Sequence, residues 1–85
     1  SAVSARQVYS GLKNSMVNAT KEERAVANEQ IIETAFMQYT NTILDSLDAP
    51  EHVDQITYQQ AVEDRLREDE RGRIEKYLRS KHLLF

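Results

Sequence analysis

The sequence contains no cysteine and no tryptophan, and it has only two glycines and one proline. Without cysteine the chain has no disulfide framework, no thiol nucleophile and no cysteine-ligated metal site. Gly11, Pro50 and Gly72 are the strong helix breakers, so long segments have no residue that forces a helix to stop. No apolar run approaches the ~18 residues that a membrane-spanning helix needs. These absences favour a small helical protein without a transmembrane segment.

The length and composition predict one small helical domain over residues 1–85. The chain has 85 residues, of which 40% are hydrophobic. Folding a chain of this size buries only roughly 60% of the surface of the unfolded chain, so a lone monomer is marginally stable. We therefore expect the isolated chain either to self-associate or to be poorly stable until it meets a partner.

The net charge of −3 conceals an uneven distribution along the chain. Residues 1–20 carry a charge of +2, residues 21–56 carry −6, residues 57–70 carry −3 and residues 71–85 carry +4. The chain is thus basic at both ends and acidic in its centre. Such a pattern is neutralised either by folding the basic ends onto the acidic centre or by an anionic partner at one end.

Apolar residues that recur every three and four positions predict three helices, at about 4–18, 21–47 and 57–82. The second and third helices are nearly equal in length and joined by a short connector. We expect them to form a long antiparallel helical hairpin, with the short N-terminal helix packed against it. The predicted fold class is therefore all-α, a small helical bundle.

Local signals support the predicted ends of the two long helices. Thr20 and Glu23 have the spacing of a capping box at the start of the second helix. Pro50 ends that helix, because a residue before proline avoids helical dihedral angles. Thr57 is the predicted N-cap of the third helix. Gly72 lies inside this helix and indicates a kink, a break or a close helix crossing.

The spacing also predicts which side chains form the main contact between the long helices. The predicted residues on the two helices are Ile32, Phe36, Tyr39 and Ile43, facing Val62, Leu66, Tyr77 and Leu78. The charged run 63–73 is interpreted as a solvated helix face with ion pairs at i,i+4 spacing. The predicted pairs are Glu63–Arg67, Asp69–Arg73 and Glu75–Arg79.

The sequence lacks the residue patterns that catalysis or metal binding requires. It has no P-loop, no nucleophile elbow and no dinucleotide fingerprint. His52 and His82 lie thirty residues apart, and Glu29 and Glu33 occur without the Glu-x-x-His motifs of a di-iron bundle. We expect a protein that is not an enzyme and that has no catalytic residues, no metal and no cofactor.

Two sets of residues are candidates for partner contact. Cations near the end of the third helix are candidates for contact with an anion or nucleic acid: Arg71, Arg73, Lys76, Arg79 and Lys81. The same cations also suit an anionic membrane surface, the helix dipole or the acidic second helix. Apolar residues in the same region are candidates for contact with a protein partner: Tyr77, Leu78, Leu83, Leu84 and Phe85. The segment 83–85 is expected to dock on the first helix near Val8 and Leu12, to insert into a partner or to be a disordered end.

The sequence therefore predicts a non-enzymatic interaction module, an accessory or assembly subunit or an adaptor. It would bind another protein or a second copy of itself through amphipathic helices. The alternative is a nucleic-acid-associated protein that uses the basic 71–82 face, and a weaker alternative is peripheral membrane attachment through the same segment. The missing cysteine and secretory signal favour a reducing intracellular compartment, the cytoplasm or alternatively an organelle matrix, and not secretion.

Overall fold

A computed structural model describes residues 3–85 of the chain. Within that range the helices are α1 (Ala5–Leu12), α2 (Lys21–Asp45) and α3 (Gln55–Ser80), with a 3-10 turn at Asn14–Met16 after α1. The long helices α2 and α3 pack against each other as an antiparallel hairpin, and α1 packs on α2. The predicted all-α bundle is confirmed.

The first helix is shorter than the predicted span 4–18, because it ends at Leu12. It begins with a capping box, in which the Ser4 hydroxyl accepts from the Gln7 amide at 3.1 Å and the Gln7 side chain accepts from the Ser4 amide at 2.7 Å. Beyond Leu12 the Ser15 hydroxyl donates to the Leu12 carbonyl at 2.9 Å. This local bond competes with helical hydrogen bonding, and the chain tightens into the 3-10 turn.

The capping box predicted for α2 is confirmed. The Thr20 hydroxyl accepts from the Glu23 amide at 3.1 Å, and the Glu23 carboxylate accepts from the Thr20 amide at 2.9 Å. The hydrogen bond from the Thr20 backbone, followed by that from its side chain, lowers the pKa of Glu23. The helix continues to Asp45, two residues short of the predicted end at 47.

The N-cap predicted for α3 is wrong. Asp54, and not Thr57, caps this helix, because its carboxylate accepts from the Thr57 amide at 2.9 Å and from the Thr57 hydroxyl at 3.1 Å. A carboxylate is favoured there because it also faces the positive end of the helix dipole. Consequently α3 begins at Gln55, two residues before the predicted start.

The end of α3 turns the chain back toward the bundle. His82 adopts a left-handed backbone conformation with φ 58°. The Leu83 amide donates to the Leu78 carbonyl at 3.0 Å, and the His82 amide donates to the Arg79 carbonyl at 3.1 Å. This pattern is a Schellman motif, and the apolar contact that accompanies such a motif is provided here by Leu78 and Leu83, which are both buried.

The core lies where α1, the first half of α2 and the end of α3 meet, a region that we call the three-helix end. Its buried members are Ala5, Ile31, Ile32, Leu78 and Leu83. The opposite region, formed by the connector 46–54 and the adjoining turns of α2 and α3, is called the hairpin end. Because α1 has only eight residues, it covers α2 at the three-helix end alone. The molecule is elongated, with extents of 52 × 26 × 20 Å.

The predicted helix contact is partly correct. Ile32, Phe36 and Leu78 are buried as predicted, but Tyr39 and Tyr77 are 39% and 56% exposed, and their assignment to the contact is wrong. Two residues of α2 that were not predicted for the contact, the apolar Ile31 and the polar Thr40, are also fully buried. Thr40 lies one turn beyond Phe36 on the same buried face of α2. Because the periodicity criterion counts apolar residues only, it does not identify a buried threonine.

Gly72 neither breaks α3 nor allows a close helix crossing. The helix runs through this position, and a Cβ atom built on Gly72 would meet no atom within 4 Å. The glycine is therefore a helix residue of low propensity without a steric requirement.

Candidate interaction surfaces

Two arginines of α3 connect this helix to α2 on the side of the three-helix end. Arg67 donates to both carboxylate oxygens of Glu33, at 2.8 and 2.9 Å, and its guanidinium carbon lies 4.4 Å from the centre of the Phe36 ring. One turn further along, Arg71 pairs with Glu29. The hydrogen bonds from Arg67 lower the pKa of Glu33, and the same bonds raise the pKa of Arg67. The Glu29 and Glu33 carboxylates are thus arranged as acceptors for arginines.

The remaining predicted cations are exposed and form no ion pair with α2 among residues 3–85. Arg73 lies 3.5 Å from Glu70, and Arg79 lies 3.3 Å from Glu75. Lys76 and Lys81 are exposed, and neither takes part in an ion pair formed within residues 3–85. The Lys81 ammonium lies 5.6 Å from the centre of the Tyr77 ring. The structure therefore separates Arg71, which is bound to α2, from four exposed cations of the same region, of which Lys81 lies beside Tyr77.

Two of the three predicted ion pairs along α3 are confirmed. Glu63–Arg67 and Glu75–Arg79 have separations of 3.4 and 3.3 Å. The predicted pair Asp69–Arg73 is wrong, because the Asp69 carboxylate accepts from Arg65 at 2.7 Å. With its predicted acid engaged one turn earlier, Arg73 is left with Glu70.

The segment 83–85 docks within the chain. The Phe85 ring stacks on the Tyr9 ring of α1, with centroids 4.6 Å apart and an interplanar angle of 18°. The Phe85 amide donates to the Asn28 side-chain oxygen at 2.7 Å, and the Asn28 side-chain nitrogen donates to the Phe85 carbonyl at 3.1 Å. Of the arrangements that the sequence left open, the structure has the intramolecular one.

Among the residues predicted to contact a protein partner, Tyr77 is the most exposed. Leu78 and Leu83 belong to the buried core, and Leu84 and Phe85 pack against it. Asn28, which clamps Phe85, was not identified from the sequence. An isolated asparagine on a helix carries no signal of the chain segment that it contacts 57 residues away.

An apolar groove lies between α2 and α3 at the hairpin end. It has a volume of about 340 Å³. Its lining residues come from both helices and are, apart from one arginine, uncharged: Ile43, Leu47, Tyr58, Ala61, Val62, Arg65 and Leu66. We call it the hairpin groove. Three residues predicted for the helix contact, Ile43, Val62 and Leu66, are only half-buried in it, because α1 lies at the other end of α2.

Acidic residues without cationic partners surround the hairpin end. Residues 25–64 contain neither lysine nor arginine. Of their eight carboxylates, three belong to the pairs formed by Arg67 and Arg71. The other five have no cationic group within 4 Å among residues 3–85: Asp45, Asp48, Glu51, Asp54 and Asp64. The hairpin groove therefore lies in the acidic part of the molecule, whereas the basic segment 71–85 lies toward the three-helix end.

Across residues 3–85, no group of three or more histidine, aspartate or glutamate side chains is placed to hold a metal ion. Nor does any helix in this range combine the length and the apolar character required to cross a bilayer.

No protein-family model, curated protein or solved structure matches the chain. Any functional proposal therefore depends on the surfaces described above.

Proposed function

We propose that the protein is a non-enzymatic interaction module, an accessory or assembly subunit or an adaptor, that binds a helix of another chain in the hairpin groove. The observation that supports this proposal is the apolar lining of the groove on a part of the hairpin that α1 does not cover. Leu47 in its lining is 39% exposed, and Ile43, Val62 and Leu66 are only half-buried there. Full burial of such side chains is worth about 1.5–3 kcal/mol each, so an incoming helix gains free energy by covering them.

The charge around the groove selects the chemistry of that helix. The five unpaired carboxylates attract lysine and arginine side chains and repel acidic ones. A helix that lies in an apolar groove contributes a stripe of side chains at i, i+3, i+4 and i+7. The proposed ligand is therefore an amphipathic helix with an apolar stripe and basic flanks.

A single engineered cysteine tests this proposal, because the chain has no cysteine of its own. Ala61 lines the groove and is exposed, so the Ala61→Cys variant accepts an environment-sensitive fluorophore there. The labelled protein is titrated with a helical leucine–lysine peptide and with a leucine–glutamate peptide of equal length. We expect the fluorescence of the label to change saturably with the concentration of the lysine peptide, and the affinity to fall as salt is added.

Ser10→Cys, on the exposed side of α1, is the matched control for the label. A response of equal size at position 10, or a preference for the glutamate peptide, would contradict the proposed site.

The second candidate function is nucleic-acid binding by the basic 71–82 face. It is supported by the exposure of Arg73, Lys76 and Lys81 and by the position of Lys81 beside the exposed Tyr77 ring. It has less support than the first, because Arg71, Arg73 and Arg79 already pair with carboxylates of the chain. Several phosphate contacts would give a steep loss of affinity with salt, which a filter-binding titration with single- and double-stranded DNA measures. Flotation with anionic vesicles tests the weaker membrane alternative.

A further inference from the structure

We infer that the helix that occupies the hairpin groove is α3 of a second copy of this chain, lying antiparallel to the first. This inference rests on the proposed function, and it names the partner of the same groove. Two observations support it. The first is that α3 lines the groove near its start and carries the exposed Tyr77 ring near its end. The second is that the two ends of α3 have opposite charges.

The face of α3 that turns away from Arg67 and Arg71 carries Val62, Leu66, Arg73 and Tyr77. We call these four residues the outer stripe. Their spacings of four, seven and four residues keep them on one side of a helix. Val62 and Leu66 line the groove, whereas Tyr77 is 56% exposed beside the cations. One helix therefore carries both an apolar recess and an exposed aromatic side chain at its other end.

The outer stripe is complementary to itself when two copies of α3 run in opposite directions. Tyr77 and Val62 are equally far from the point between Asp69 and Glu70, and Arg73 and Leu66 are also equally far from that point. A two-fold axis there places each Tyr77 ring over Val62 of the other copy. Buried tyrosines are frequent energetic centres of protein interfaces. A two-fold contact of this kind closes on itself and gives a dimer, not a filament.

The charges of the chain favour the same direction. Residues 71–85 carry +4, whereas residues 25–64 contain eight carboxylates and no lysine or arginine. An antiparallel pair sets the basic segment of each copy beside the acidic hairpin end of the other, and a parallel pair would bring like charges together. Near the axis, each Arg73 lies opposite Leu66 of the second copy, about one helical turn from Asp69 and Glu70 of that copy, which pair with Arg65 and Arg73 of their own chain.

Sedimentation velocity over a range of concentrations tests the association of the full chain. We expect a monomer–dimer equilibrium that shifts toward monomer as salt is added, because the attraction between exposed charges is screened. Tyr77→Asp should raise the dissociation constant by at least about tenfold. Val26→Asp is the matched control, since Val26 is 71% exposed on α2 outside the groove, and it should leave the constant unchanged. Circular dichroism verifies that both variants keep their helices.

Crosslinking tests the direction of the helices. A mixture of Val62→Cys and Tyr77→Cys chains, treated with a short bismaleimide, should give a crosslinked heterodimer, and neither variant alone should crosslink efficiently. The pair Leu66→Cys and Arg73→Cys repeats the test without altering Tyr77. Efficient crosslinking of each variant to itself would indicate a parallel pair and overturn the inference.

The outcomes separate this inference from the proposed function. A chain that stays monomeric at every concentration, or a Tyr77→Asp variant that dimerises as well as Val26→Asp, overturns the inference. If the leucine–lysine peptide still binds at position 61, the proposed function stands and the helix comes from a different protein. If that peptide does not bind and the chain is monomeric, both proposals are wrong.

Discussion

Replacing Thr40 by valine should stabilise the protein. The Thr40 side chain is fully buried, and its Oγ1 has no hydrogen-bond partner among the described residues. Two other threonines of α2 behave differently, because Thr34 and Thr42 each donate to the carbonyl four residues earlier at 2.9 Å. Valine has almost the same shape as threonine but lacks the hydroxyl, so Thr40→Val keeps the packing and removes the unpaired polar group.

The expected gain follows from the cost of burying a hydroxyl. Mutational data place that cost at about 1–3 kcal/mol when no hydrogen bond compensates it. Threonine and valine are both β-branched and have similar helix propensities, so the backbone contributes little to the difference. Thr40→Val should therefore raise the free energy of unfolding by about 1–2 kcal/mol. For a domain of this size, each kcal/mol raises Tm by roughly 4–8 °C.

Thermal and urea unfolding followed by far-UV circular dichroism, at one protein concentration, measure the change. Thr42→Val is the matched control: Thr42 is exposed, so its substitution should change the stability by less than about 0.5 kcal/mol. Thr40→Ser keeps the hydroxyl but loses a buried methyl group, and it should destabilise the chain by about 1 kcal/mol. A Thr40→Val variant that is no more stable than the parent would refute the reasoning, because it would mean that the hydroxyl is satisfied, for instance by a buried water.

Three further substitutions test the fold. Gly72→Ala should raise the free energy of unfolding by about 1 kcal/mol, because the site is helical and has open space for a methyl group; a lower Tm would show that glycine is needed there. Asn28→Ala should lower stability by about 1–3 kcal/mol, since it removes both hydrogen bonds to Phe85; unchanged urea unfolding would contradict this clamp. Stability should also fall as pH drops below the ordinary glutamate value of 4.5. The reason is that Arg67 lowers the folded pKa of Glu33, so its contribution is present above the unfolded pKa and is lost on protonation. Glu33→Gln should flatten this acid limb of Tm against pH, and an unaltered profile would show that the pair contributes nothing.

The sequence was sufficient to predict what depends on local patterns. The spacing of apolar residues located all three helices, and the Thr20 capping box located the start of α2 within one residue. The start of α3 was misplaced because two residues three positions apart both suit an N-cap. Asp54 takes that position and makes Thr57 its donor, which only the backbone conformation decides.

Tertiary coverage was not predictable from the same patterns. Ile43, Val62 and Leu66 have the periodicity of buried residues, yet they remain half-exposed because α1 is too short to reach them. Tyr39 and Tyr77 likewise follow an apolar stripe and face solvent. The hairpin groove is thus the place where apolar spacing exceeds the cover that the chain supplies, and this mismatch appears only when the helices are assembled.

The short reach of α1 also divides the protein into regions of different cooperativity. At the three-helix end, the Phe85 stack, the Asn28 clamp and the buried leucines tie distant parts of the chain together. At the hairpin end, two helices are held by half-buried contacts and a turn. Local opening costs the least free energy where few buried contacts resist it. The last turns of α2 and the first turns of α3 are therefore where we expect local opening to cost the least free energy, and hydrogen exchange of their amides should be faster than that of the amides at the three-helix end.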